Sequence, residues 1–230
     1  MQWIETTREE AEHRAAELIA DTLHPAVDRR GRAVLAVPGG RSVGGVLRAL
    51  TAFDAPFEAL HVFFVDERCV PLDSAESNYR VVRASLLDSL IARNAAVPAM
   101  HPFHCRESEP DLGAAAYESA FRRTAQHPDV ALFGVGEDGH IASLFPESPL
   151  LTERRRCFAA VYDAPKPPRR RITATPALFG PEMRVILLFF GENKRDALSA
   201  FLADHGSPAA CPARVVKPAN DLWVVTDLHP

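Results

Sequence analysis

The stretch Phe133-Gly-Val-Gly-Glu-Asp-Gly-His-Ile-Ala-Ser-Leu-Phe-Pro146 decides how this chain is read. It leaves a short apolar run, Val130 to Phe133, that reads as a buried strand. Three glycines follow within six residues (Gly134, Gly136, Gly139), so the backbone can turn sharply and approach a ligand closely. Asp138 and His140, two groups that can move protons, sit in that turn, and the apolar run Ile141 to Phe145 can anchor it. Open α/β sheets place their ligands at such turns, at the C-terminal ends of strands. Alone, the stretch also fits a glycine turn with a solvated histidine, so the rest of the chain must decide.

Working outward, Ala33–Val37, His61–Val65, Arg184–Phe190 and Leu222–Thr226 read as further strands, with Phe158–Tyr162 a weaker one. Arg171–Thr175 reads either as a strand or as the lead into a short helix. Helical spacing runs over Thr7–Leu23, ended by His24-Pro25, and over Val43–Leu50. It recurs from Tyr79 to about Leu90 behind a Ser77-Asn78 cap, over Leu112–Gln126, and from Lys194 to about Leu202. Asn94–Pro110 and the proline-rich Ala164–Pro168 read as loops. Strands alternating with helices predict an α/β class with a mostly parallel sheet, and no composition shift divides 1–230 into more than one domain.

The 230 residues are 47% hydrophobic and 24% charged, with net charge -4 and a pI near 6.1. Such a balance gives no general attraction to nucleic acid or to an anionic membrane. Arg154–Arg156, and Lys166 with Arg169–Arg171, concentrate positive charge that serves either as solvated loop or as an anion site. The four cysteines show no Cys-x-x-Cys spacing, so neither a disulfide scaffold nor a structural zinc site is expected. His101-Pro102-Phe103-His104-Cys105 offers ligand types in poor metal geometry, and no metal or cofactor is expected. With no signal-like N-terminus and no apolar run near the ~20 residues that span a bilayer, a cytoplasmic protein is the default.

Four polar clusters follow strands: Gly39-Gly40-Arg41-Ser42, Asp66-Glu67-Arg68, Asp138-Gly139-His140 and Gly191 to Lys194. In a parallel sheet these lie along one edge and can converge. The first is a strand–turn–helix arrangement that presents free N–H groups to a phosphate.

Asp66-Glu67-Arg68-Cys69-Val70-Pro71 with Ser77-Asn78-Tyr79 resembles a block shared by the 6-phosphogluconolactonases and the glucosamine-6-phosphate deaminases. Gly134 to Pro146 resembles the lactonase form of a second block, since a deaminase is expected to read Gly-His-Ile-Ala-Phe-Asn-Glu-Pro. Pro165-Lys166-Pro167-Pro168 with Arg171-Ile172-Thr173 resembles a third. The likeness covers roughly Pro38 to Arg214. It implies one three-layer α/β/α domain, Rossmann-like and related to deaminase and ribose-phosphate isomerase folds. It also implies hydrolysis of 6-phosphoglucono-δ-lactone to 6-phosphogluconate in the oxidative pentose phosphate pathway. The partner is then a small sugar-phosphate lactone, met by a monomer or small homo-oligomer. Amino-sugar phosphate deamination and a non-catalytic sugar-phosphate sensor are the alternatives.

By this resemblance His140 is the base for water and then the acid for the ring oxygen, and Arg68 stabilises the oxyanion. Asp138 holds the turn beside the base. Gly39, Gly40, Arg41 and Ser42 form the anion turn, with Arg171 and Lys194 as phosphate cations. Asp66 and Glu67 are either a paired acid and base or, one each, a loop anchor and a partner of Arg68 or solvent. Ser143 is expected to bond locally. The chain departs from the family at Arg41-Ser42-Val43, where Ser-Thr-Pro is usual, and at Arg214, where serine is usual; Arg214 is given no ligand contact.

Overall fold

The structure, a computed structural model, describes residues 1–228. Strands β1 (Gln2–Glu5), β2 (Ala33–Val37), β3 (Leu60–Phe64), β5 (Ala99–His101), β6 (Val130–Gly134), β9 (Arg184–Phe189) and β10 (Asp221–Thr226) form one sheet. Its order is β1-β10-β9-β6-β2-β3-β5. Every pairing in it is parallel. A second, antiparallel sheet joins β4 (Asp66–Arg68), β8 (Arg171–Ala174) and β7 (Phe158–Val161) in the order β4-β8-β7.

The large sheet is covered on both faces, which is why its central strands are apolar throughout. Along β2, Val34 and Ala36 enter one core while Ala33, Leu35 and Val37 enter the other. β6 and β9 divide the same way, Phe133 and Leu187 to the first, Leu132 and Ile186 to the second. Helices α1 (Arg8–Arg30) and α2 (Arg41–Leu50) cover the second face, together with α3 (Asn78–Val82), a π-helical turn (Arg83–Leu87) and α4 (Asp88–Ala92). Helices α5 (Ala114–Thr124) and α6 (Arg195–Leu202) and the small sheet cover the first.

The layered α/β class and its mostly parallel sheet agree with the sequence reading. Four local features differ. Helix α1 runs through Pro25 to Arg30, because Leu18, Ile19, Leu23 and Ala26 continue one buried face. That burial outweighs the hydrogen bond proline removes. The helix ends where Gly31, at φ +70°, returns its N–H to Val27 O. Edge strands β1 and β5 extend the sheet from segments that are too short and too exposed to show an apolar run. Asp66-Glu67-Arg68 is itself a strand, not the tail of β3. Cys69 and Cys105 form a disulfide, with Cα atoms 5.2 Å apart, where no bridge is expected from spacing. Among the described residues no helix is long and apolar enough to cross a membrane.

Tyr117 on α5 ties the end of the sheet together. Its buried hydroxyl accepts from Phe64 N at 2.8 Å and donates to His101 O at 2.9 Å, bridging β3 and β5 beyond their ladder. Its ring packs edge-on against Phe63, Phe103 and Phe158. Tyr117→Phe keeps the ring and strands both backbone groups, so it should cost about 1–3 kcal/mol. Urea denaturation checks this; a change below about 0.5 kcal/mol, the scatter of neutral surface substitutions, would mean the hydroxyl does not bridge.

Candidate active site

Three segments meet at the C-terminal edge of the large sheet. The first is the turn after β6. Gly136 N donates to His140 O at 2.8 Å and Gly139 N to Gly136 O at 3.0 Å, closing a tight loop. A Cβ on Gly136 would fall 2.0 Å from His140 Nδ1, so only glycine lets the imidazole lie against this backbone. His140 Nδ1 meets Asp138 Oδ1 at 2.5 Å, and Asp138 also accepts from His140 N at 3.3 Å. Burial pushes the Asp138 carboxyl up, but the bonds to the His140 ring and backbone outweigh it and hold the group at about 2. Asp138 is therefore an anion over the physiological range. It accepts the hydrogen bond from Nδ1–H, which leaves Nε2 as the lone pair of that tautomer. The ring leans on Phe145, centroids 4.8 Å apart.

The second segment is the small sheet. Asp66 and Glu67 are both buried, at 4% and 1% exposure, and neither meets solvent. Glu67 accepts from the N–H groups of Arg68, Asn78 and Tyr79 at 2.7–2.8 Å and from Ser77 Oγ at 3.0 Å. Burial raises its pKa, and the three N–H groups counter that. It caps the start of α3 instead of facing a ligand. Asp66 accepts from Asn78 Nδ2 at 2.9 Å and from Ser143 Oγ at 2.7 Å. The Ser143 hydroxyl is thus not bonded locally; it reaches across 77 residues of sequence. Ala142, at φ +51°, provides the bend that precedes it.

Arg68 stands opposite Arg171 in the β4–β8 ladder. One Arg68 nitrogen, Nη1, donates to Glu76 O at 2.6 Å. Its Nε is buried and has no partner among the described residues. Arg171 is buried and engaged: Nε donates to Pro168 O at 2.8 Å, Nη2 to Lys166 O at 2.7 Å and Nη1 to Ser143 Oγ at 3.4 Å. Its guanidinium lies 5.5 Å from the Phe145 ring centroid, so Phe145 touches both the Arg171 and His140 groups.

The third segment is the turn after β2. A Cβ on Gly39 would fall 2.1 Å from Asn78 Oδ1, so the glycine lets this turn pack on the residue that bonds Asp66. Gly40 precedes α2 with no side chain capping the helix. The first-turn N–H groups of Arg41, Ser42 and Val43 lack intrahelical acceptors and carry the positive end of the helix dipole. Arg41 is exposed and makes no side-chain bond or ion pair among the described residues. Ser42 Oγ accepts from Arg8 Nη2 at 3.3 Å. Arg8 also pairs with Glu12 and Asp227 and covers Phe190. Nothing in the sequence around this opening residue of α1 marks it for the site.

Lys194 is half-buried, and its ammonium makes no hydrogen bond or ion pair among the described residues. Burial lowers its pKa first; Glu137 and Asp138 raise it and Lys166 lowers it, so both lysines stand near the Asp138 turn. Arg214, by contrast, points away: its Nη1 donates to the carbonyls of Ala200, Phe201 and Ala203 at 2.9–3.1 Å and closes the end of α6. A cavity of about 630 Å³ opens beside Asp138 and Ser143, lined by Phe145, Pro149, Val161 and Tyr162. The other large cleft, about 580 Å³, contains none of the candidate residues and lies at the opposite strand ends, around Arg32 and Asp129.

Residues 6–225 match the family described as glucosamine-6-phosphate isomerases/6-phosphogluconolactonase. A 6-phosphogluconolactonase of Borreliella burgdorferi is 36% identical over 204 residues, covering 88% of this chain and 86% of that protein. One of Rattus norvegicus is 37% identical over 210 residues, covering 88% and 81%. The crystal structure of a 6-phosphogluconolactonase from Shewanella baltica superposes with a TM-score of 0.80 at 28% identity, over 98% of this chain and 95% of that one. With motif, layered sheet and overall likeness in agreement, the chain belongs to the glucosamine-6-phosphate isomerase and 6-phosphogluconolactonase family.

Proposed function

We propose that this protein is a 6-phosphogluconolactonase, one lactonase-like domain that hydrolyses the ring ester of 6-phosphoglucono-δ-lactone. The observation that carries the reading is the Asp138–His140 pair on its glycine turn. It orients a neutral imidazole with Nε2 open, beside the cationic face of β4 and β8. The Gly139-His140-Ile141-Ala142-Ser143-Leu144-Phe145-Pro146 ending favours the lactonase over the deaminase branch. Ser143, spent on Asp66 and Arg171, is no nucleophile in this scheme.

Asp138 holds the Nδ1 proton while Nε2 takes a proton from water, and the hydroxide attacks the lactone carbonyl. Negative charge gathers on the carbonyl oxygen, where the Arg68 guanidinium supplies the stabilising positive charge. As the tetrahedral intermediate collapses, the imidazolium returns its proton to the departing ring oxygen, so no alkoxide is released. The first turn of α2 and the Lys194 ammonium receive the 6-phosphate. Arg171 shapes the Lys166–Pro168 loop beside them, since three of its five N–H donors are already engaged. A phosphorylated lactone does not cross bilayers unaided, so the enzyme works in the compartment that makes its substrate, for which we infer the cytoplasm.

His140→Ala should lower kcat by about 10²–10⁴-fold above the spontaneous rate. Freshly generated lactone, with the buffer rate subtracted, is the assay; an unchanged kcat would move the base elsewhere. Asp138→Asn removes the acceptor that fixes the Nδ1–H tautomer of His140 and should lower kcat by about 10²–10⁴-fold. Asp138 itself, held at about 2, contributes no limb near neutrality in the wild type. A kcat unchanged by the substitution would argue that Asp138 does not orient the working base.

Lys194→Ala should raise KM for the phosphorylated lactone about ten- to hundredfold, the equivalent of one charge-assisted contact. KM for unphosphorylated gluconolactone should not move. Equal losses on both substrates would place Lys194 outside the phosphate site.

A further inference from the structure

Cys69 and Cys105 take no part in that scheme, yet they border it. Cys69 directly follows Arg68, and its N–H donates to Arg170 O at 2.9 Å. Cys105 lies in the loop between β5 and α5. The two are joined with their Cα atoms 5.2 Å apart, inside the roughly 4.4–6.8 Å range that a disulfide accepts. Both are half-buried, and a cleft of about 300 Å³ lined by Cys69, Cys105, Val70, Leu72 and Phe103 opens over them. A small thiol can therefore reach the sulfurs. Cys157 and Cys211 differ: both are buried and unpaired, and burial raises both thiols, Cys157 to about 11. They stay protonated and unreactive.

Three ties fasten the β5–α5 loop to the sheet that carries Arg68. One is the disulfide, one the Arg170–Glu107 ion pair at 2.8 Å, and one the bond from the Tyr162 hydroxyl to Pro110 O. The ion pair is more than half exposed, and such pairs hold weakly. The covalent tie is the one that can be switched.

We propose that Cys69 and Cys105 form a reversible dithiol–disulfide site whose oxidised state holds the Arg68 segment in place. Oxidation proceeds by exchange with a low-molecular-weight disulfide. One cysteine thiolate attacks it, giving a mixed disulfide and releasing one small thiolate. The second cysteine thiolate then attacks the protein sulfur of that mixed disulfide and releases the other. The protein gives up two protons and two electrons, and the small disulfide becomes two thiols. A dithiol reverses both steps.

The inference goes beyond the lactonase reading, and both of its readouts are independent of turnover, so either can fail without the other. Full-length protein is equilibrated with reduced and oxidised glutathione in fixed ratios, quenched with acid, unfolded and alkylated. Of its four cysteines, all should be alkylated at the reducing end. At the oxidising end Cys157 and Cys211 alone should react, and a linked Cys69–Cys105 peptide should appear. Amide hydrogen exchange over residues 66–76 should slow about threefold or more in the oxidised form. That difference should vanish in Cys105→Ser and in Cys69→Ser. Four alkylated thiols at every ratio, a stable glutathione adduct in place of the internal bridge, or equal exchange in both forms would overturn the proposal.

Discussion

The Asp66 carboxylate is the joint on which the site's geometry depends. It is buried, and each oxygen is bonded by a side chain from a different part of the chain, Asn78 and Ser143. The Asp66 backbone carbonyl takes a second bond from Asn78 Nδ2 at 2.8 Å. Asp66 also pairs in register with Thr173, whose hydroxyl accepts Ser143 N at 3.0 Å. Four segments distant in sequence are thereby set against one another: β4, the start of α3, the end of the His140 turn, and β8. Gly39 adds a fifth by packing on Asn78. A buried charge is tolerated only when hydrogen bonds replace its water. The same requirement makes the arrangement specific, because any slip of one segment leaves a buried donor or acceptor unmet.

Much of the sheet could be read from the chain, for a simple reason. Strand segments buried on both faces must be apolar at every position, so the apolar runs 33–37 and 185–189 announce themselves. Gln2–Glu5 and Ala99–His101 do not, because edge strands may keep polar and exposed residues. Pro25 reads as a stop, yet tertiary packing carries α1 past it. The motifs that hold His140, Asp138, Arg68 and Lys194 were legible from residue type and position after strands. Their second-layer partners were not. Ser143 sits in an apolar run and looks like a locally bonded hydroxyl; only the folded chain brings Asp66 to it. Arg8 and the Cys69–Cys105 bridge escaped for the same reason, since their partners are far apart in sequence.

The fold itself does not choose the chemistry. The family that contains this chain spans isomerases and lactonases on one framework, so activity must be argued from the site. The two departures from the family pattern illustrate this. Arg214 replaces a small residue but spends Nη1 on the three carbonyls that end α6, a structural use that leaves the site untouched. Arg41 stays exposed at the first turn of α2 with no side-chain bond among the described residues. It can add a cation to the proposed phosphate turn without displacing the backbone N–H groups there.

A division of labour follows from which polar groups are saturated. Glu67 accepts four hydrogen bonds and Asp66 is bonded at both oxygens. Saturated groups of this kind build the cavity and have little left to offer a ligand. The open groups are different ones: the Nε–H of Arg68, the Nε2 lone pair of His140, the Lys194 ammonium and the first-turn N–H groups of α2. Three of the four lie next to a neighbour that fixes their position. Glu67 holds the backbone of Arg68, Asp138 holds the ring of His140, and Asn78 backs the turn that leads into α2. An unsatisfied buried polar group is costly in a folded protein, and among the described side chains Arg68 Nε is such a group. Three of the open groups are cationic or donate protons, and the fourth accepts one. Together they are the complement that the proposed hydrolysis of an anionic ester asks for.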